Sequence, residues 1–239
     1  MISRLCAPRV GGVGVEHRPN RIILVRHGES LANVDDTIYE TVPDHRIGLT
    51  AKGIEQAQAT GAAVRELLDG DRLDVYVSPY LRTRQTLEAM ALPVAERDIR
   101  VEPRLREQDW ANFQDPAEIA EQKTLRDRYG HFYYRFTHGE SGSDVYDRVS
   151  TFLESMFRNF ETQHAPGEVV IVTHGLTMRL FCMRWFHWSV EYFESLENPG
   201  NAEAVVLARQ PDFRYRLERP FRQWDSSVNP TERERSSWL

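Results

Sequence analysis

Cysteine is almost missing from this chain: Cys6 and Cys182 are the only two in 239 residues. With Cys6 in a stretch read as a tail, a disulfide framework is excluded, and a reducing, cytoplasmic setting is the expectation. Lysine is nearly as scarce, with only Lys52 and Lys123, so arginine carries the positive charge; such a skew marks a GC-rich coding bias rather than a function. No apolar run approaches the roughly 20 residues of a membrane span, so no membrane association is expected. The formal charge of −6 argues against nucleic-acid binding through net charge, although a local basic pocket stays compatible with it. The first 20 residues hold arginines and no acid before Glu16, but they lack the apolar segment of a secretory leader. Residues 1–20 are therefore expected to form a flexible tail.

What is present is an ordinary globular complement, 41% hydrophobic and 10% aromatic, enough for one large domain with an inserted lobe. "RIILV" at 21–25 reads as a buried parallel strand, and "LDVYVSPY" (73–80) and "EVVIVTHG" (168–175) as two more. Helices are expected over 49–68, with Thr50 as N-cap and Ile54, Ala57, Gln58, Gly61, Val64, Leu67 and Leu68 inward, over "LRTRQTLEAM", over 141–162 and over "LTMRLFCMRWF". In the helix over 141–162, Val145, Val149, Phe152, Leu153, Met156 and Phe160 face inward. "AEAVVLAR" (202–209) and "FRYRLE" (213–218) predict a late hairpin around Gln210-Pro211. Residues 111–140 are polar, aromatic and irregular, and read as an insertion lying over the core; residues 220–239 read as a C-terminal tail. Strands alternating with helices predict an α/β three-layer sandwich, with a mostly parallel central sheet flanked by helices and a small inserted cap. The domain proper spans 21–219.

Ligands of such sheets bind beyond the carboxyl ends of the strands. Three motifs fall there: Arg26-His27-Gly28, Ser78-Pro79 with Arg82 one turn later, and Thr173-His174-Gly175. Two histidines and two arginines at one edge form a dense positive site, and guanidinium forks match phosphate oxygens. Arginines beside His27 also suppress its protonation, leaving a neutral imidazole able to attack phosphorus. A helix starting near Gly28 is expected to add backbone donors and its dipole. The arginines disfavour a cation between His27 and His174, so no metal and no cofactor is expected.

These motifs resemble the histidine phosphatase superfamily in its phosphoglycerate-mutase-like branch. The resemblance rests on Arg26-His27-Gly28-Glu29-Ser30 with Asn33, on "SPYLRTRQT" with Arg82, on "LREQDW" with Glu107, on "GESGSDVYDRV" (139–149) and on "VTHG" with His174, over residues 21 to 209. It implies that His27 becomes a phosphohistidine, and that Arg26, Arg82 and His174 hold the phosphoryl oxygens. It implies that Glu107 protonates the leaving oxygen and then serves as base toward water, a role needing a raised pKa. Ser30, Asn33 and Gly175 are expected to touch the substrate. On the residues alone, Asp109, Glu29 and Glu140 compete with Glu107; the resemblance favours Glu107.

The implied activity is a metal-independent phosphomonoester hydrolase. A phosphoglycerate mutase is the alternative, disfavoured because 111–140 contains no Arg-Arg-Pro-Pro run. A phospho-ligand-binding scaffold without turnover ranks third, since the catalytic set is intact. The partner is a small phosphorylated molecule: a sugar phosphate, phosphoglycerate, nucleotide or prenyl phosphate, with a phosphopeptide also compatible; a homodimer is left open. The cluster Phe132 to Phe136 is read as packing rather than a substrate-facing lid, "MRWFHWSVEYF" (183–193) as core or an oligomer contact, and His131, His138, His164 and His187 as surface or core residues.

Overall fold

In a computed structural model, which describes residues 18–69, 72–161 and 166–224, six strands form one sheet. They are β1 (Arg21–Arg26), β2 (Leu73–Val77), β3 (Ile99–Val101), β4 (Glu168–Thr173), β5 (Ala204–Arg209) and β6 (Tyr215–Leu217), in the order β3-β2-β4-β1-β5-β6. The first four strands are mutually parallel, while β5 and β6 add antiparallel at one edge as the expected hairpin. Seven helices accompany them among the described residues: α1 (Leu31–Val34), α2 (Ala51–Glu66), α3 (Leu81–Met90), α4 (Pro116–Tyr129), α5 (Gly142–Phe160), α6 (Gly175–Phe186) and α7 (Val190–Glu194). The α/β class, mostly parallel sheet and flanking helices agree with the sequence reading.

The apolar runs of β1 and β4 are continuous because both faces of the sheet are covered. Alternate residues serve opposite layers. Ile22, Leu24, Val169 and Ile171 pack with Val149, Phe152, Met156 and Phe181 of α5 and α6, while Ile23, Val25, Val170 and Val172 pack with Val64 and Met90 of α2 and α3. All six expected inward residues of α5 are buried.

The inward face of α2 is a correction. Its buried residues are Gly53, Ala57, Gly61 and Val64; Ile54 is exposed by 40% and Gln58 is exposed. Ala57, Gly61 and Val64 are inward as expected, and Leu67 and Leu68 pack against the same core cluster, whereas Ile54 and Gln58 turn out to solvent and Gly53 takes the place facing the β1 turn. A Cβ on Gly53 would stand 2.1 Å from the Glu29 carbonyl oxygen, and one on Gly28 would stand 2.3 Å from that of Gly53. The helix thus lies directly against the turn that follows β1.

The segment 111–140 contains α4, capped by Asp115, whose carboxylate accepts from the Ala117 and Glu118 amides. It is not purely an overlay, because Phe132 joins the main core cluster and Phe136 is fully buried. Packing also continues past the expected boundary at Arg219: Phe221 is buried and Gln223 bridges to Leu196. The expected N-terminal tail falls outside the described residues up to 17. Within it, buried Pro19 accepts a hydrogen bond from the Tyr215 hydroxyl.

Candidate active site

Register brings the histidines together. In the β1–β4 ladder the last pair is Arg26 with Thr173, so His27 and His174 leave adjacent strand ends side by side. Their ring centroids are 5.3 Å apart. On the other flank of β4, Val77 of β2 pairs with Val172, which puts Ser78 next to His174; the Ser78 hydroxyl lies 2.8 Å from His174 Nε2. The turn after β1 is pinned to α3 by the Gly28 amide, which donates to Thr86 Oγ1 at 3.0 Å. The same helix presents Arg82 in its first turn.

His27 is 3% exposed, and its Nδ1 is 2.8 Å from the Gly28 carbonyl oxygen. A carbonyl only accepts, so Nδ1 carries the proton and Nε2 holds the free lone pair. Burial, then the charges of Arg82 and Arg26, hold the His27 pKa well below the ordinary histidine value. The ring is therefore neutral and nucleophilic over a wide pH range. His174 is held low in the same way, by burial first and then by Arg82 and His27.

Arg26 is buried; its Nη1 donates to the Pro199 carbonyl at 2.6 Å, while its Nε has no hydrogen-bond partner. Arg82 donates through Nη1 to Asp44 Oδ1 at 2.6 Å. Burial works against the Arg82 charge, but Asp44, Tyr39 and Glu107 together outweigh it and raise its pKa. Glu107 Oε2 lies 3.4 Å from His174 Nδ1, a buried nitrogen with no hydrogen-bond partner. Burial raises the Glu107 carboxyl, with Arg82 opposing. Its loop is held by Arg148, whose Nη1 donates to the Arg104 and Arg106 carbonyls and whose Nη2 donates to the Glu107 carbonyl and Glu140 Oε2 at 3.0 Å each. The competing acids are engaged elsewhere: Glu140 with Arg148 and Arg106, Glu29 with Lys52, and Asp109 is exposed.

Ser30 and Asn33 also line the pocket, where Asn33 Oδ1 accepts from the Ser30 amide and hydroxyl at 2.9 and 3.1 Å. Gly175 opens α6 against the Asn198 side chain. The expected helix near Gly28 is a correction: α1 is a single turn of four residues beginning after Ser30, too short to sum a useful dipole. His27, Glu107 and His174 each offer one ligand atom within 4.8 Å of the others. The guanidinium charges that suppress His27 protonation disfavour a cation there by the same mechanism.

The pocket extends well beyond this floor, enclosing about 1060 Å³ with its open mouth included. Its other wall is Trp110, Ile119, Lys123, Arg126, His131, Arg179 and Trp224, none of them anticipated as site residues. Arg179 carried one faint signal, a charge inside the apolar run of α6. Tyr133, Tyr134 and Arg135 do not line the pocket, whereas Phe136 stacks behind Trp110 at 4.7 Å.

Comparison with known proteins agrees with this geometry. Residues 22–219 match the model of the histidine phosphatase superfamily, branch 1. The chain belongs to that family. It is 44% identical over 235 residues to the phosphoglycerate mutase-like protein AT74 of Arabidopsis thaliana, covering 92% of this chain and 72% of the relative. It is 29% identical over 285 residues to the broad-range acid phosphatase DET1 of Saccharomyces cerevisiae, covering 80% and 85%. Among solved structures, a protein described as mycobacterial hydrolase 1 shares the fold with a TM-score of 0.67 at 22% identity, over 87% of this chain and all of its own. No helix among the described residues is long and apolar enough to cross a membrane.

Proposed function

We propose that this histidine phosphatase family member hydrolyses small phosphomonoesters without a metal, through a phosphohistidine at His27. The observation that carries the reading is the pair of rings at adjacent strand ends, one with Nε2 free, between two buried guanidiniums and a carboxyl pushed up by burial. In the first step His27 Nε2 forms a bond to phosphorus as the ester P–O bond breaks. Arg26, Arg82 and His174 take the phosphoryl oxygens, and Glu107 gives its proton to the leaving oxygen. In the second step Glu107 takes a proton from water, whose oxygen bonds to phosphorus as the P–N bond breaks, releasing inorganic phosphate. Ser30, Asn33 and Gly175 line the substrate's entry to this floor. A phosphatase among the relatives supports hydrolysis over group transfer. The scarcity of cysteine supports a cytoplasmic setting.

The test is phosphate release from a panel of phosphoesters in chelator, with His27→Ala alongside. Release that persists in chelator and vanishes in the variant is expected. No release from any ester across pH 4 to 8, or release surviving the substitution, would overturn the proposal.

A further inference from the structure

One ring nitrogen of His174 is paired and the other is not. The residue is fully buried, and its Nε2 lies 2.8 Å from the Ser78 hydroxyl, yet its Nδ1 has no hydrogen-bond partner among the described residues. That nitrogen is 3.4 Å from Glu107 Oε2, and so faces the corner of the pocket where the acid stands. Most buried polar atoms are paired, and one left unpaired at a reaction centre is a group held ready for a partner that arrives with the substrate. What it can do there depends on one proton. With hydrogen on Nδ1 the ring offers a donor. With hydrogen on Nε2 it turns a lone pair toward incoming oxygens and repels them.

Ser78 decides between the two. It is fully buried directly after β2, where its amide donates to the Val172 carbonyl at 3.0 Å and its carbonyl accepts from Thr83 Oγ1 at 2.9 Å, so its place is fixed. Two groups share hydrogen bonds with its side-chain oxygen: the Tyr80 amide at 3.5 Å, which can only donate, and His174 Nε2. The oxygen accepts from the first, so its own proton has His174 Nε2 as its acceptor among the described residues. The reverse arrangement, with Nε2–H donating to Ser78, would bury a hydroxyl proton with nothing to receive it. Burial and the neighbouring arginines keep His174 neutral, which leaves a single ring proton to be placed.

We infer that Ser78 is a positioning residue: its hydroxyl donates to His174 Nε2, fixes the ring proton on Nδ1, and so turns an N–H toward the phosphoryl oxygens. This deepens the proposed function and rests on it for where the phosphoryl group sits. The two histidines then carry their protons on the same nitrogen and present opposite ends of the ring. His27 donates from Nδ1 to the Gly28 carbonyl and shows Nε2, a lone pair that attacks. His174 accepts from Ser78 at Nε2 and shows Nδ1–H, a donor that stabilises charge on the oxygens. Two neutral rings 5.3 Å apart thus divide the work of nucleophile and donor.

The experiment records proton–nitrogen correlation spectra of the histidine rings in the unsubstituted full chain at pH 7, where His174 is neutral, and repeats them with Ser78→Ala. His174 is expected as the Nδ1–H tautomer in the unsubstituted protein and largely as Nε2–H in the variant, where Nδ1 is left to accept from the Glu107 carboxyl. Phosphate release by Ser78→Ala should fall about ten-fold or more in kcat/KM, because an oriented donor to the phosphoryl oxygens is lost. The alkaline limb of its pH profile should also move to higher pH, since a lone pair facing Glu107 favours the protonated carboxyl where an N–H favours the carboxylate. A packing role alone would move neither the tautomer nor that limb. His174 found with its proton on Nε2, a tautomer unchanged by Ser78→Ala, or a tautomer that changes while the rate does not, would overturn the inference. The spectra need no turnover, so failure of the phosphatase proposal would show separately, as absent phosphate release by the unsubstituted enzyme.

Discussion

The two walls of the pocket are built by different means. The floor is backbone-determined: Arg26, His27, Ser78 and His174 stand where they do because β1, β2 and β4 end in register, and a single ladder pair, Arg26 with Thr173, fixes both histidines. The opposite wall is side-chain-determined: Lys123 and Arg126 reach the cavity from a cap helix, over an aromatic stack whose partners are 26 residues apart in sequence (110 to 136). A floor set by strand register tolerates little variation and performs one chemistry. A wall set by a packed insertion can change without disturbing the sheet, and it is where selectivity among phosphoesters would reside.

The sharpest way to break this division is at the acid. Glu107→Gln should lower kcat on alkyl phosphates by about a hundred- to ten-thousand-fold, and less on p-nitrophenyl phosphate, whose leaving group needs little proton assistance. The pH profile carries the same information. Activity rises as His27 becomes neutral, at a pKa well below 6.5, and falls as Glu107 loses its proton, at a pKa above 4.5, so the alkaline limb of kcat/KM should report the raised Glu107 ionisation. Glu107→Gln should abolish the alkaline fall. Stability falls at low pH as well: both histidines bind protons more weakly folded than unfolded, so they withdraw stability as pH drops below about 6.5. An alkaline fall that survives Glu107→Gln would break the assignment.

Next in size is Arg148→Met. It removes a donor from three carbonyls, of which that of Arg106 keeps the Thr177 hydroxyl, and leaves part of the Glu140 charge unpaired, at a cost of about 3–5 kcal/mol by urea unfolding, as for other broken buried pairs. Smaller again is Gly53→Ala, which pushes α2 off the β1 turn. About 1–3 kcal/mol is expected, with the phosphate-site KM rising because Gly28 must move with it. The smallest effect is the control on the cap: Tyr133→Ala, at a side chain 59% exposed and outside the pocket, should stay within about 0.5 kcal/mol and leave activity unchanged.

How much of this could be read from sequence follows the same division. Strand ends are local: an apolar run stopping at His-Gly announces both the element and what it presents, so the four floor residues and the sheet class were legible. Glu107 was legible only through family resemblance, because Asp109 and Glu140 offer the same chemistry until Glu140 is seen paired with Arg106 and Arg148 and Asp109 is seen to be exposed. Lys123, Arg126 and Trp224 were not legible at all. Each sits in a polar stretch that looks solvated, and only the fold turns those faces inward. On α2 most of the inward face was legible, and only Gly53 was missed and Ile54 and Gln58 misplaced, because hydrophobic periodicity weighs side-chain size whereas the contact with the β1 turn selects its absence.

The most direct test of the central claim is to trap the covalent intermediate. Enzyme mixed with a rapidly hydrolysed phosphoester and quenched in alkali, which preserves phosphohistidine, should show one phosphoryl group by mass, mapped to His27 and accumulating in Glu107→Gln protein if that variant slows the second step. A phosphoryl group on another residue, or turnover without any trapped intermediate in either protein, would contradict the account.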